Sequence, residues 1–270
     1  MRIGNLGHAF TIQASFVELC DDLERRAEGT EHAAAVASER YAEFVASQLG
    51  TGDFARQAYA VIERIPGTTL YKRLPDLPLP YEEARLLVAK IAAALADLHR
   101  QNVVHLDVKP SNIMFRPTGE AVLVDYGLSH HDRLPDLMQE EFRVPFGTAP
   151  YIAPEQLLGV RNDPRSDLFA LGVVLFELIT GSRLVEGGDA MQAVAVIGGT
   201  EPMPTAISRR PDLDPRLNAI IAKAMARDPG QRYQTGAELH HALEHWLAGA
   251  GTISTTEISN FMRELFTQKM

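Results

Sequence analysis

The chain has a single cysteine, Cys20, in 270 residues. A disulfide needs two and a cysteine-built metal site more, so the sequence holds neither. Positive charge is also scarce. Twenty-six Lys and Arg stand against 35 Asp and Glu, the formal net charge is −9 and the pI is near 5.5. The basic footprint of a nucleic-acid binder is therefore absent, and the acidic balance mainly favours solubility. The opening residues MRIGNLGHAF lack a basic stretch followed by an apolar core, which excludes a secretory signal there. Long hydrophobic runs are missing too. The longest, LFALGVVLFELI (168–179), is about 12 residues, carries Glu177 and suits a buried helix rather than a bilayer span. No repeat or low-complexity tract appears. With 46% hydrophobic and 23% charged residues, this is the balance of a globular protein, and a cytoplasmic location is expected.

Hydrophobic periodicity organises the rest. FVELCDDLERRAEG places Phe16, Leu19, Cys20 and Leu23 on one helical face and stops at Gly29; EHAAAVASERYAEFVASQLG repeats the pattern through Val36, Tyr41, Phe44, Val45 and Leu49. HAFTIQASF (8–16) has strand character, and AYAVIERIPG (58–67) reads as a short buried strand entering a turn. LPYEEARLLVAKIAAALADLHRQN is a long helix with Pro80 in its first turn and Leu87, Val88, Ile91, Ala94, Leu95 and Leu98 as its core face. Two strand-like pieces follow, NIMF (112–115) and AVLVDYG (121–127), then a long polar segment to about residue 155 in which His130 and His131 read as exposed. DPRSDLFALGVVLFELITG starts on Asp-Pro and stops at Gly181. PRLNAIIAKAMARDP is amphipathic, and TGAELHHALEHWL opens with the capping-box spacing of Thr235 and Glu238. MQAVAVIGG (191–199) reads as core, with a part in substrate binding as the alternative. After a Gly-rich break (248–251), TEISNFMRELF is amphipathic through Ile258, Phe261, Met262, Leu265 and Phe266 and suits docking on a partner or on its own domain. The order is not an alternating βαβ pattern, which argues against a doubly wound sheet.

The densest chemistry lies in HLDVKPSN (105–112). Phosphoryl transfer from a nucleotide is mostly placement and electrostatics. In that light Asp107 suits acceptance of a hydroxyl proton, Lys109 suits a γ-phosphate oxygen, and Asn112 offers a neutral oxygen to a hard cation. DYG follows 13 residues after Asn112, at a strand end. Asp125 there suits a metal, and Gly127 a sharp turn.

These residues resemble the eukaryotic-like Ser/Thr protein kinase family over about residues 55–248. HLDVKPSN is similar to its catalytic loop and DYG to its D-F-G. GTAPYIAPE (147–155) resembles the end of its activation segment, SDLFALG (166–172) its D-x-W/F-x-x-G helix, RDPGQR (227–232) its R-D-P-x-x-R, and VIERIPG its hinge. The resemblance implies an α+β, two-lobed fold with a reduced or atypical N-lobe and hinge over 1–66, a helical C-lobe over 67–248 and a tail with an amphipathic helix over 249–270. It implies ATP and Mg²⁺ as cofactors and a protein substrate. Asp107 becomes the catalytic base, Lys109 the γ-phosphate ligand, Asn112 and Asp125 the Mg²⁺ ligands, and Thr148 a bridge between Asp107 and Lys109. Ile62, Glu63, Ile65 and Met114 are assigned to the nucleotide. Glu155 is expected to pair with Arg232, and Asp167 to hold the catalytic loop from below. Lys109-Pro110 is the Ser/Thr form of the loop.

Two departures stand out. Leu106 replaces the arginine that in many kinases pairs with a phosphate on the activation segment, and residues 128–147 carry Ser129 as their one hydroxyl residue. Activation without phosphorylation of that segment is expected. Second, no lysine precedes Lys72, although the family uses one on an N-lobe strand against a helical glutamate such as Glu31 or Glu39. IGNLGHAFTIQA (3–14) only faintly resembles the Gly-rich phosphate loop. A pseudokinase with a reduced lobe, replacement by Arg25, Arg26 or Arg40, and a truncated or frameshifted start all remain open. The alternatives to a kinase are thus a binding or scaffolding pseudokinase and a small-molecule phosphotransferase, the latter disfavoured by the peptide-platform motifs. HALEH (241–245) matches a zinc signature but lacks a third ligand, and a solvated helix face is the expected reading.

Overall fold

The structure is a computed structural model that describes residues 65, 67–76, 78–116, 121–132, 147–185 and 189–248. The chain divides into two units, Met1–Ile65 and Pro66–Met270; the fold described here is that of the second. The expected elements before residue 65 and the terminal amphipathic helix lie outside the described residues.

The second unit opens with β1 (Thr68–Thr69), which runs into a 3-10 turn at Leu70–Asp76. Gly67 has φ +137°, and a Cβ there would stand 1.7 Å from the Phe115 carbonyl oxygen, so only glycine admits this approach. Helix α1 (Tyr81–Arg100) buries Ala84, Leu87, Val88, Ile91, Ala92 and Leu95 at helical spacing. The expected core residue Ala94 is instead exposed. The face turns further than the apolar pattern suggests, because Arg85 is completely buried and donates from Nη1 to the Leu243 carbonyl at 2.9 Å. Asn102, at φ +60°, reverses the chain after the helix, a conformation asparagine tolerates better than most residues.

The strands are short. β2 (Val103–Val104) precedes the 105–112 loop, β3 (Ile113–Phe115) follows it, and β4 (Ala121–Leu123) returns antiparallel with Ile113 opposite Leu123. β1 pairs with the other edge of β3, giving the order β1-β3-β4. β5 (His130–His131) pairs antiparallel with β2, Val103 opposite His131. The two histidines are therefore half-buried in a ladder, not exposed in a loop; Val103 and Val104 lend them a partner strand that local sequence did not reveal.

Helix α2 (Pro154–Leu157) is a single turn. Helix α3 (Arg165–Thr180) is buried continuously from Ser166 to Ile179, the environment its nearly unbroken apolar sequence requires. It stops where expected, with Gly181 at φ +69° donating to the Glu177 carbonyl at 2.9 Å. Helix α4 (Ala190–Gly198) buries Ala193 and Ile197 but leaves Met191 largely exposed. The MQAVAVIGG stretch is thus an amphipathic surface helix rather than core, since alanine and valine sit easily on its open face. A short α5 (Ala206–Arg209) leads to α6 (Pro215–Ala224), whose N-cap Asp214 accepts the Arg216 N–H at 2.7 Å. Helix α7 (Gly236–Ala248) opens with Thr235 Oγ1 accepting the Glu238 N–H at 3.1 Å, while Glu238 accepts the Gln234 N–H at 2.9 Å. This is the expected capping box with its return bond one residue early. Helices α1 and α7 pack closely at Gly236, where a Cβ would come within 2.3 Å of the Ala92 carbonyl oxygen. No helix among the described residues is long and apolar enough to cross a membrane.

Candidate active site

The 105–112 loop is gripped from below by one carboxylate. Asp167, in the first turn of α3, accepts the backbone N–H of His105 on Oδ2 at 2.8 Å and that of Leu106 on Oδ1 at 2.7 Å. It lies where the resemblance expects it. His99, in the last turn of α1, places Nε2 2.8 Å from the same Oδ2. Leu106 has φ +63°, a conformation that costs a branched residue on the order of 1–2 kcal/mol and persists because its neighbours hold both ends. Its N–H goes to Asp167, and its carbonyl accepts Gln156 Nε2 at 3.2 Å. Gln156 Oε1 in turn accepts the Ala153 N–H at 2.8 Å. His105 is fully buried, with Nε2 3.1 Å from the Val124 carbonyl and its ring tilted against Tyr126.

This backbone presents Asp107. Its carboxylate takes three donors: Thr148 Oγ1 on Oδ1 at 2.8 Å, and on Oδ2 Lys109 Nζ at 2.6 Å and Asn112 Nδ2 at 3.1 Å. Lys109 also donates to Thr148 Oγ1 at 2.8 Å, and Asn112 Nδ2 to the Asp107 carbonyl at 2.9 Å. A carboxylate offers about four lone-pair sites, so one remains for an incoming hydroxyl. Asp107 is nearly buried and Lys109 about one-fifth exposed.

Asn112 and Asp125 are neighbours through the sheet. The Val124 N–H donates to the Asn112 carbonyl at 2.8 Å, extending the β3–β4 ladder by one step and bringing Asp125 next in line. Asp125 adopts φ +65°, is exposed, and accepts the Gly127 N–H at 3.2 Å. Asn112 Oδ1 has only a long contact, 3.4 Å, from Ser111 Oγ. With Nδ2 committed to Asp107, the side-chain oxygen of Asn112 is the atom left to accept a further partner. Two oxygen donors of this kind fit Mg²⁺, which keeps most of its shell for water and phosphate. Among the described residues no set of three or more His, Cys, Asp or Glu forms a closed metal cage. Met114 is half-buried on β3 opposite Val122. Ile65 is half-buried and belongs to the first unit; Ile62 and Glu63 lie outside the described residues.

Two buried ion and hydrogen-bond pairs frame the loop. Arg232 makes a two-pronged bridge to Glu155, 2.6 Å on each arm, and fills its other donors with the carbonyls of Ala226, Arg165 and Arg227. Ser166 Oγ donates to the same Glu155 at 2.6 Å. The pair expected from sequence thus joins α2, the start of α3 and the 3-10 turn at Pro229–Gln231. Tyr151 donates to Glu177 at 2.7 Å. Burial, then the Glu177 charge, pushes the Tyr151 phenol far above its ordinary range, and burial raises the Glu177 carboxyl against the opposing Tyr151 bond. His241 and His245 are exposed on α7 with ring centroids 6.3 Å apart, and no third ligand joins them among the described residues.

Sequence reasoning missed His99, Gln156 and Arg161. His99 had one available signal, a histidine in the last turn of a helix that leads directly into the loop. Gln156 and Arg161 act on backbone carbonyls, which leave no trace in residue types.

The chain matches the family model described as protein kinase domain over residues 36–247. It is 34% identical over 182 residues to the serine/threonine-protein kinase PknB of Mycobacterium leprae, covering 67% of this chain and 29% of that protein. It is 33% identical over 257 residues to the serine/threonine-protein kinase PknJ of Mycobacterium tuberculosis, covering 93% of this chain and 43% of that protein. A probable serine/threonine-protein kinase PknB of Lactococcus lactis is 31% identical over 189 residues, 70% of this chain and 30% of that protein. The chain therefore spans well under half the length of these relatives.

Proposed function

The chain belongs to the bacterial-type Ser/Thr protein kinase family, and from that premise we propose that it transfers the γ-phosphoryl group of MgATP to a serine or threonine hydroxyl of a protein. The observation that carries the reading is the Asp107–Lys109–Thr148 triangle, closed by contacts of 2.6, 2.8 and 2.8 Å. Asp107 takes the proton of the acceptor hydroxyl on its remaining lone pair. The new bond joins that oxygen to the γ-phosphorus as the bond to the β-γ bridging oxygen breaks and ADP leaves. Lys109 neutralises oxygens of the group in transfer. Asn112 and Asp125 would hold Mg²⁺, which when bound neutralises and orients the phosphates. Met114 is assigned to the nucleotide base, as are Ile62, Glu63 and Ile65 through the family resemblance. Thr148 ties the catalytic pair to the Gly147–Glu155 stretch, a platform suited to an extended polypeptide rather than a small molecule.

A second reading rests on one observation, the absence of any lysine within residues 1–71. On that reading the domain is a pseudokinase that binds a partner without transferring phosphate. Purified full chain with radiolabelled MgATP and myelin basic protein separates the two. Transfer that Asp107→Asn abolishes supports the enzyme. No transfer above blank, with a well-folded chain, leaves the pseudokinase, and labelling that survives Asp107→Asn refutes the role given to Asp107.

A further inference from the structure

The side chain at 106 cannot serve the activation segment: Leu106 is apolar, buried to 4% exposure and turned left-handed. A cation reaches the same segment from another place. Arg161, in the connection between α2 and α3, is buried to 8% exposure and donates from Nη2 to the Leu128 carbonyl at 2.8 Å. Leu128 lies three residues after Asp125. The residues that follow are fastened to β2 and to the residues at its two ends. Ser129 Oγ is 3.4 Å from the His105 carbonyl, the Asp132 N–H donates to the Asn102 carbonyl at 3.3 Å, and His130–His131 pair with Val103–Val104.

Resting on the kinase reading above, we propose that Arg161 is a positioning residue. It fixes the Asp125–Gly127 turn against the catalytic loop through a main-chain carbonyl, so that no phosphate is needed there. A carbonyl is present in every copy of the chain whatever its modification state. A guanidinium bond to it inside the protein is charge-assisted and shielded from water. The planar fork of arginine suits this better than the point charge of lysine, which would meet the carbonyl with fewer fixed donors. Residues 125–132 are thereby held at both margins: Arg161 on one, β2 and the Asn102 turn on the other. The paucity of hydroxyl residues over 128–147 fits a segment that is not set by phosphorylation.

Hydrogen–deuterium exchange over 126–132 of the full chain tests this without requiring activity. Wild type treated with a phosphatase should exchange as untreated protein does. Arg161→Ala should raise exchange over 126–132 at least about tenfold, the scale of a lost bond to a charged group, while α3 and α6 stay as protected as in wild type. Arg161→Lys should fall between the two, which covers the case of an alanine variant that does not fold. Against myelin basic protein, Arg161→Ala should lower kcat with KM for that protein changed less than about twofold, because Asp125 is misplaced rather than the peptide platform lost. Unchanged exchange in both variants, or deprotection of wild type by phosphatase, overturns the proposal. A wild type that transfers no phosphate while still showing the Arg161 effect on exchange sinks the enzymatic reading alone.

Discussion

Replacing Asp167 by asparagine keeps the shape of the side chain and removes half of its acceptors. In the folded protein both carboxylate oxygens are used: Oδ1 by the Leu106 N–H, Oδ2 by the His105 N–H and by His99. Asparagine offers one oxygen and an amide nitrogen that donates. Whichever way it sits, one backbone N–H of the loop faces another donor. A hydrogen bond to a charged group contributes about 1.5–3 kcal/mol, and a buried donor left unpaired costs about 1–3 kcal/mol. The expected loss is about 3–5 kcal/mol. Unfolding entropy near 2.1 cal/mol/K per residue, over a unit of about 205 residues, converts this to a fall in Tm of roughly 7–12 °C. The catalytic effect should be larger than the stability effect. Leu106 is held left-handed partly by that N–H bond; once it relaxes, Asp107 moves, and an error of about 1 Å can cost about a hundredfold in kcat. Calorimetry and steady-state kinetics on the purified full chain read both quantities. His99→Gln is the control, since it can still donate to Asp167 and leaves both backbone bonds intact; it should keep kcat within about threefold. An Asp167→Asn variant with the wild-type Tm and kcat would refute the reasoning.

Glu155→Gln should destabilise by about 3–5 kcal/mol in denaturant unfolding, because it strands the buried Arg232 guanidinium, and Arg232→Met added to it should recover part of the loss; a purely additive double variant would count against the pair. Glu177 has a folded-state carboxyl raised by burial, so the folded protein binds the extra proton. Its contribution is most favourable below the ordinary carboxyl range and is lost as pH rises through the raised value. Glu177→Gln, which still accepts from Tyr151, should therefore gain Tm relative to wild type on going from acid to neutral pH, and a constant difference would contradict this. Gly236→Ala should separate α1 from α7 and lower Tm by several degrees despite the higher helix propensity of alanine; an increase in Tm would show that the approach can relax.

The parts of the molecule that sequence exposed were those whose chemistry is local. Asp107, Lys109 and Asn112 lie within six positions, so their chemistry could be read together, while the bridge from Thr148 was expected only through the family resemblance. Gly181 ended its helix as expected because a left-handed cap has a strong preference for glycine. What stayed hidden depends on distant partners. Ala94 fits the apolar face of α1 as well as any core residue, but only the arrival of α7 decides that Arg85 is covered and Ala94 is not. His130 and His131 become a strand solely because Val103 and Val104 lie beside them. Alternation of apolar residues in α4 looked like core since valine and alanine do not declare which side faces water. Backbone acceptors such as the Leu128 and Leu106 carbonyls carry no residue identity at all, and the side chains that seek them went unnoticed for that reason.

The close seam between α1 and α7 has a consequence for biosynthesis. His240 meets the Ala89 carbonyl at 3.0 Å across 151 residues of chain, and Arg85 reaches Leu243 across 158. At about 5–20 residues per second of translation, the Ala89–Ala96 face of α1 leaves the ribosome roughly 8–30 s before the helix that shields it has been made. A nascent chain therefore carries a naked apolar stripe for most of its synthesis. Its solubility in that interval depends on chaperones or on provisional collapse against α3, and a stalled ribosome anywhere before Gly236 yields a product that cannot close its own core.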